Sequence, residues 1–424
     1  MVPVFLEPKD FLIRLFEAAI SAADPDKTVA AHLPVRPKGR TVVVGAGKGA
    51  AQMAAAFERH WDAPLSGAVV TRYGYGAPCA RIEVIEAGHP VPDAAGLAAT
   101  RHLMNLVTGL TADDLVVALI AGGGSALLPA PALPLTLQDE IAVNEILLAS
   151  GAPISAMNAV RKCLSTVKGG RLAALAHPAR VVTLVVSDIP GDDPALVASG
   201  PTVPDCSTRE DALRLIERHG LMLPDPVLAY LAREAAEPPR PEDPAFQRDE
   251  VHVIASAALS LEAAQACARA QGIEAAILSD AIEGEAREVG LVHAAIAREI
   301  AIRDRPFAKP VCLLSGGETT VTLREKRGRG GRNTEFLLAL ALGIEGQPGI
   351  HALAADTDGI DGTERNAGAF ADGTSRQRMR ERGVEAPDCL AAHESWHAFD
   401  AVGDLFSPGP TGTNVNDFRA VLIR

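Results

Sequence analysis

Short apolar runs that each stop at a glycine or polar cluster, with helical stretches between them, restrict this chain more than any other feature. The runs are Thr41–Val44 before GAGKGA, Gly67–Thr71 before RYGYG, Ile82–Ile85 before EAGHPVPD, Leu115–Ile120 before AGGGSA and Arg180–Val186 before SDIPGDD. Continuous apolar strands alternating with helices imply a parallel sheet covered on both faces. The helices carry their own punctuation: Thr136-Leu-Gln-Asp139 opens one that Gly151 closes, and Thr208-Arg-Glu-Asp211 opens another that Gly220 closes. Near the start, Phe11, Leu12, Leu15, Phe16 and Ala19 at helical spacing predict an amphipathic helix over 10–22.

At 424 residues the chain exceeds what one core usually serves, so two domains are expected. Residues 237–250 (EPPRPEDPAFQRDE) hold four prolines and seven charges and read as the linker. Beyond them strand and helix alternate again through Val251–Ser256, Ala275–Ser279 and Pro310–Ser315, and from Gly316 the chain is rich in glycine and polar turns. The expected architecture is a Rossmann-like three-layer α/β/α domain with a parallel sheet over 1–248, plus a second, smaller α/β domain over 249–424. A cleft between them is the expected working surface.

Charge excludes some partners. With 40 Lys+Arg against 53 Asp+Glu the net charge is −13, so no nucleic acid and no anionic membrane is expected as a partner. A local basic pocket for a small anion remains open. The six cysteines are scattered, with no C-x-x-C, which argues against a zinc ribbon or a redox pair. The N-terminal stretch has no basic segment ahead of its apolar residues and no apolar run is long enough to span a bilayer, so a reducing cytoplasm is the expected location.

Open parallel sheets bind ligands at the carboxyl ends of their strands, so the strand-end loops are the candidates. Gly45-Ala46-Gly47-Lys48-Gly49-Ala50 satisfies G-x-G-x-x-A and suits an anion at a helix N-terminus, although a tight turn with a surface lysine gives the same pattern. It fails the P-loop pattern. Lys48 is a cation among glycines, where a purely structural role is hard to assign. Gly122-Gly123-Gly124-Ser125 puts three glycines at a strand end, an entropic cost that favours a backbone cradle for an anion. Ser187-Asp188-Ile189-Pro190-Gly191-Asp192-Asp193 brings carboxylates that suit Mg²⁺ or a proton, Asp188 and Asp193 being the metal candidates. A solvated acidic turn is the plain alternative.

Ser315-Gly316-Gly317-Glu318 precedes RGRGGRN, where Arg332 and Asn333 meet the start of an apolar helix, an arrangement that favours anions. A flexible basic hairpin describes Arg327 and Arg329 better than Arg332. Asp356-Thr-Asp358-Gly-Ile-Asp361 lacks the calcium-loop spacing, and its acids suit turns as well as ligands. His89 in GHPVPD stands at a strand end, fit for substrate contact or for a structural bond. Asn158, Arg161, Lys162, Lys168 and Arg171 make a second cationic region, expected to be solvated helix charge. Neither H-E-x-x-H nor a serine-hydrolase elbow is present.

Taken together, GAGKGA, GHPVPD, AGGGSALL, MNAVRKCLSTVKGGRLA, SDIPGDDPALVASGPTVPD, LLSGGETTV, GRGGRNTE, AADTDGIDG and GPTGTNVND resemble, in order, the glycerate 2-kinases of the two-domain MOFRL type, once also labelled hydroxypyruvate reductases. The resemblance implies phosphorylation of D-glycerate at its 2-hydroxyl by ATP with Mg²⁺. The family's catalytic lysine falls on Lys48 and its GGRN arginine on Arg332, while Thr334 stands where the pattern leads one to expect Gln. Lys48 and Arg332 would then close on the phosphoryl group from the two domains, with Asp188 on Mg²⁺ or the hydroxyl proton. Gly45, Gly47, Gly49, His89, Gly122–Ser125, Ser315–Glu318 and Asn333 would line the nucleotide and substrate. An NAD(P)H-dependent hydroxypyruvate reductase is the alternative, motivated by G-x-G-x-x-A and Arg72, but it leaves Lys48 unexplained. A nucleotide-binding sensor without turnover is the non-enzymatic reading. A homo-oligomer is compatible with all three.

Overall fold

The computed structural model describes residues 7–152, 154–323 and 328–424; Arg327 and residues 1–6 of the N-terminal stretch lie outside the described residues. The chain divides into two compact units, one made of Pro25–Ile254 and the other of the residues through Asp24 together with Ala255–Arg424.

The unit Pro25–Ile254 is built on β1 (Thr41–Ala46), β2 (Ser66–Arg72), β3 (Ile82–Ala87), β4 (Leu115–Ala121), β5 (Arg180–Val186) and β6 (Glu250–Ala255), in the order β3-β2-β1-β4-β5-β6. The pairings from β3 through β5 are all parallel. Every residue of β1 and β4 is buried, which is why these strands read as unbroken apolar runs. The order reverses between β1 and β4, so the GAGKG and GGGS loops leave the sheet at its topological switch point.

Both predicted helix starts form as capping boxes. Thr136 Oγ1 accepts from the Asp139 N–H at 3.3 Å and Thr208 Oγ1 from the Asp211 N–H at 2.9 Å, and each acid bonds back to its cap. Each cap contributes about 1 kcal/mol.

The segment expected as a linker is docked instead. Asp249 Oδ1 accepts from the Val181 N–H at 3.0 Å, Arg248 bonds the carbonyls of Pro178 and Ala112, and Phe246 packs on the core beneath the sheet. Burial pushes the Asp249 carboxyl up to about 6. Because β6 lies in this sheet, the division falls after Ile254, several residues beyond the expected 248/249 boundary.

The other unit holds a mixed sheet. Its strands are β7 (Glu274–Ser279), β9 (Val311–Gly317), β11 (Ile350–Asp356), β12 (Gly368–Asp372), β13 (Leu405–Phe406) and β14 (Asp417–Ile423), ordered β13-β12-β11-β14-β9-β7; β8 (Gly284–Glu285) and β10 (Thr319–Thr320) form a separate short pair. Only β7 and β9 pair in parallel within the six-stranded sheet. The loop joining β11 to β12 contains no helix, so it cannot make the crossover that a parallel pair requires.

The helix Pro8–Ala22 belongs to this unit. All five predicted face residues are buried, packed on the helix Ala257–Ala270 and the inner strands. Phe16 makes edge-to-face contacts with Phe406 at 5.1 Å and Phe418 at 5.8 Å. The 1–248 expectation had assigned this helix to the other domain. Its amphipathic spacing shows that it packs, but not against which sheet. No helix among the described residues is long and apolar enough to cross a membrane.

Candidate active site

In the unit Pro25–Ile254 the glycine loops are locked together backbone to backbone. The Lys48 N–H donates to the Gly122 carbonyl at 2.9 Å and the Gly47 N–H to the Val70 carbonyl at 3.1 Å. These two donors therefore fasten the loop to the sheet; the Ala50 N–H turns back to the Gly47 carbonyl at 3.2 Å, so the N–H groups left for a ligand are those of Gly49, which caps the helix Ala50–His60, and of Ala51 and Gln52 in its first turn. Gly45 lies inside β1. Gly47 has φ +136°, and a Cβ there would lie 2.3 Å from the Ala121 carbonyl oxygen, so the position admits only glycine.

The Lys48 side chain lies over the GGGS loop. A Cβ on Gly123 (φ +78°) would lie 3.2 Å from Lys48 Cγ and 2.9 Å from His89 Nε2, and one on Gly122 would lie 1.8 Å from Asp188 Oδ2. Missing side chains thus create the space in which a cation, an imidazole and a carboxylate gather. Lys48 is half-buried and makes no side-chain hydrogen bond or ion pair among the described residues. Burial, with the cations of Lys48 and Arg72 adding to it, pushes the His89 imidazole down to about 4, so it is neutral at pH 7. Ser125 Oγ lies 2.8 Å from Ser199 Oγ, which donates to Asn158 Oδ1 at 3.0 Å.

Asp188 stands two residues beyond β5. Asp193 is exposed, and its Oδ1 accepts from the Ala195 N–H at 2.9 Å, the geometry of a turn. No three His, Cys, Asp or Glu side chains among the described residues converge on a metal position. Mg²⁺ commonly takes one or two carboxylates and completes its shell with phosphate oxygens and water. The Asp188 carboxylate at the glycine loops fits such an ion.

The cationic region at 158–171 is not the solvated charge expected. Lys162 and Lys168 are buried, the first paired with Asp205, the second with Glu140 at 2.9 Å and the Leu128 carbonyl at 2.6 Å. Ser165 Oγ accepts from the N–H groups of Val167 and Lys168, a local turn.

In the other unit Arg332 opens the helix Arg332–Gly343 and spreads its guanidinium over three carboxylates. Nε donates to Asp417 Oδ1 at 2.7 Å, Nη1 to Glu318 Oε1 at 2.7 Å and Nη2 to Asp356 Oδ2 at 2.6 Å. Burial alone would lower the pKa of Arg332, but these carboxylates outweigh it and raise it. Asp356 is pushed well up by burial, with Asp358 and Asp417 adding repulsion against the pull of Arg332.

Asn333 is buried, with Nδ2 on Asp417 Oδ1 at 2.8 Å, and Asp361 caps the helix by accepting from the N–H groups of Asn333 and Thr334, both at 2.9 Å. Thr334, the departure from the expected Gln, adds its hydroxyl to Asp361 at 2.8 Å. Ser315 lies in β9 as expected, with its Oγ 2.9 Å from His293 Nε2, and Gly316 and Gly317 continue that strand rather than opening a loop. Glu318 is the one member of the SGGE stretch with an exposed side chain. Arg329 stacks on Trp396 at 3.7 Å and pairs with Glu364 at 2.6 Å, so it is anchored rather than loose.

Sequence reasoning did not single out Asp417 and Arg419. Asp417 begins β14, accepts from Arg332 and Asn333 on one oxygen and from the buried Arg419 at 2.5 Å on the other. Only the antiparallel register of β14 with β9, which sets Asp417 opposite Gly317, reveals that an acid far along the chain serves Arg332.

Comparison with known proteins bears on both units. Residues 11–232 match a domain of unknown function, DUF4147, and residues 311–417 match the MOFRL family. The chain is 38% identical to the D-glycerate 2-kinase of Thermotoga maritima, over 98% of each chain, and 38% identical to the glycerate 2-kinase of Pyrococcus horikoshii, over 99% of this chain and 98% of the other. A protein of Agrobacterium vitis, 52% identical over 98% of this chain and 94% of its own, carries hydroxypyruvate reductase as a provisional label. The crystal structure of the Thermotoga maritima glycerate kinase (EC 2.7.1.31) superposes with a TM-score of 0.90, covering 98% of this chain and 99% of the other.

Proposed function

Because this chain belongs to the two-domain glycerate kinase family that ends in a MOFRL region, we propose that it transfers the γ-phosphoryl group of ATP to the 2-hydroxyl of D-glycerate. The observation that carries this reading is Lys48, a lysine without a protein partner among the described residues, held over two glycine loops at a topological switch point. Phosphoryl transfer asks chiefly for positioning and for charge neutralisation, and a cation of this kind beside open N–H donors supplies both. In the reaction the bond from the 2-oxygen to phosphorus forms, the bond to the β-phosphate oxygen breaks, ADP leaves and the hydroxyl proton is taken up by a base.

We assign Asp188 one of two duties, taking that proton or holding Mg²⁺, and Asp193 is a second, more exposed metal candidate. Mg²⁺, when bound, neutralises charge on the phosphate oxygens. Arg332 is assigned as the second catalytic cation. Of its three carboxylates Glu318 is the exposed one, so exchange of Glu318 for a phosphate oxygen would free Nη1 while Asp356 and Asp417 keep the fork in place. The six free cysteines accord with a cytoplasmic setting, where ATP is also found.

The test is ADP release that depends on D-glycerate, run beside an assay of NADPH loss with hydroxypyruvate. ADP formation tied to glycerate supports the kinase, and NADPH loss without it would overturn it. Lys48→Ala and Arg332→Ala should each lower kcat by about 100-fold or more with folding retained. Metal titration of Asp188→Asn separates its two duties: a raised Mg²⁺ requirement marks a ligand, an unchanged one marks the base.

A further inference from the structure

A 2-hydroxy acid carries a fixed negative charge next to the hydroxyl that reacts, and a binding site must neutralise it with donors separate from those on the phosphates. Arg161, on the helix Ile154–Leu164, has the right incompleteness. It is half-buried, burial lowers its pKa, and no carboxylate among the described residues lies within ion-pairing distance. Glu140, whose field reaches it, is already held by Lys168 at 2.9 Å and by the Ala130 N–H at 3.1 Å. Arg161 rests instead on neutral oxygens: Nε donates to Asn144 Oδ1 at 2.7 Å and Nη1 to Asn158 Oδ1 at 3.4 Å.

Arg171 makes the contrast. It too is pulled down by burial and lacks an acid, but both its terminal nitrogens are taken, Nη1 by the carbonyls of Lys162 at 2.9 Å and Lys168 at 3.4 Å and Nη2 by that of Glu237 at 3.0 Å. Arg161 keeps Nη2 without a hydrogen bond among the described residues. A half-buried cation without its acid is unfavourable, and a fork left half-filled suits an anion that arrives and departs.

A hydrogen-bonded line ties Arg161 to the glycine loop. It runs through Asn158 Oδ1 to Ser199 Oγ at 3.0 Å and on to Ser125 Oγ at 2.8 Å, directly after Gly124. Ser199 (φ +60°) sits between Ala198 (φ +52°) and Gly200 (φ +57°), three successive left-handed residues of which two have side chains that disfavour this conformation. The turn is held by the N–H groups of Gly169 and Gly170, which donate to the Ser199 and Gly200 carbonyls at 3.0 Å and 2.7 Å. A strained turn that places one hydroxyl between the loop serine and the arginine's asparagine has a positioning purpose.

We propose that Arg161 binds the carboxylate of the acceptor substrate, a short 2-hydroxy acid, with Asn144 and Asn158 orienting its fork and Ser199 fixing it relative to the GGGS loop. This rests on the kinase reading for the identity of the acid, so its test reads binding as well as turnover. Binding of D-glycerate is measured by calorimetry on the full chain, wild type, Arg161→Lys, Arg161→Met and Lys48→Ala. Arg161→Met should weaken glycerate binding, and raise its KM, by about 100-fold, the loss of one charge-assisted pair. Arg161→Lys should recover part of this.

The KM for ATP should stay within about threefold and the circular dichroism unchanged, which separates a lost contact from a lost fold. Glyceramide, with a neutral amide in place of the carboxylate, should be strongly disfavoured by the wild type and far less so by Arg161→Met. Lys48→Ala should lower kcat by about 100-fold or more yet keep glycerate binding, so failure of the kinase chemistry is visible separately. Glycerate affinity unchanged in Arg161→Met, an equal rise in both KM values, or a wild type that binds no glycerate would each overturn the assignment.

Discussion

Gly122→Ala is the sharpest single test of the glycine-loop site. The backbone of Gly122 lies outside the left-handed region, so an alanine there meets no conformational penalty of its own and even gains about 0.4–1 kcal/mol from a stiffer unfolded chain. Its Cβ, however, would stand 1.8 Å from Asp188 Oδ2 and 2.2 Å from Asp188 Cγ. Both are atoms at the far end of a side chain, which can yield by rotating, whereas contact below 3.0 Å is not tolerated; the carboxylate must therefore retreat by at least ~1.2 Å. Displacing a reacting group by about 1 Å costs on the order of 100-fold in rate, or about 2.7 kcal/mol of barrier. The expected variant is thus folded, with a urea midpoint close to that of the wild type and stability within about 1 kcal/mol, but with kcat for glycerate-dependent ADP release down by about 100-fold. A folded Gly122→Ala retaining kcat within threefold would mean that the position of the Asp188 carboxylate is irrelevant to the reaction, and the role given to it would fall.

Two further outcomes follow from buried charge. Asp417→Asn strips Arg332 and the fully buried Arg419 of a shared carboxylate, so urea unfolding should show a loss of about 3–5 kcal/mol; a loss under 1 kcal/mol would show that these arginines do not depend on it. His293 is buried with its imidazole on Ser315 and the Val289 carbonyl, and burial pushes it down to about 4 from an ordinary value near 6.5. Between those values the unfolded chain binds the proton and the folded chain does not, so this histidine's contribution is complete above about pH 6.5 and lost as the pH falls toward 4. His293→Gln should therefore lose less stability than the wild type between pH 7 and pH 4.5, by about 2.4 kcal/mol; parallel pH curves for the two proteins would refute it.

How far each feature could be read in advance depends on the range of the interaction behind it. The capping boxes at Thr136 and Thr208 and the apolar face of Pro8–Ala22 are made within a few residues, so local pattern suffices to place them. The GAGKG and GGGS loops were equally legible, because strand-end glycines are a local requirement of close backbone approach. Residues 237–250 misled, since a proline- and charge-rich composition describes a docked strap as well as a free linker, and docking depends on Asp249 reaching Val181. Gly316 and Gly317 read as the start of a region of polar turns, but β14 pairs along β9 as far as Gly317 and carries both glycines into the sheet.

By itself, then, the sequence determined which segments are strands and helices, that one unit carries a buried parallel sheet, and which loops leave its carboxyl edge. These follow from periodicity and turn chemistry, which act over a few residues. Tertiary structure alone decided that the first helix packs with the last strand, that Lys162 and Lys168 are sealed by Asp205 and Glu140, and that Arg332 is gripped by Glu318, Asp356 and Asp417. A cation reads the same in a sequence whether it faces water, a ligand or an acid distant in the chain, and only the register of the strands determines which of these it meets.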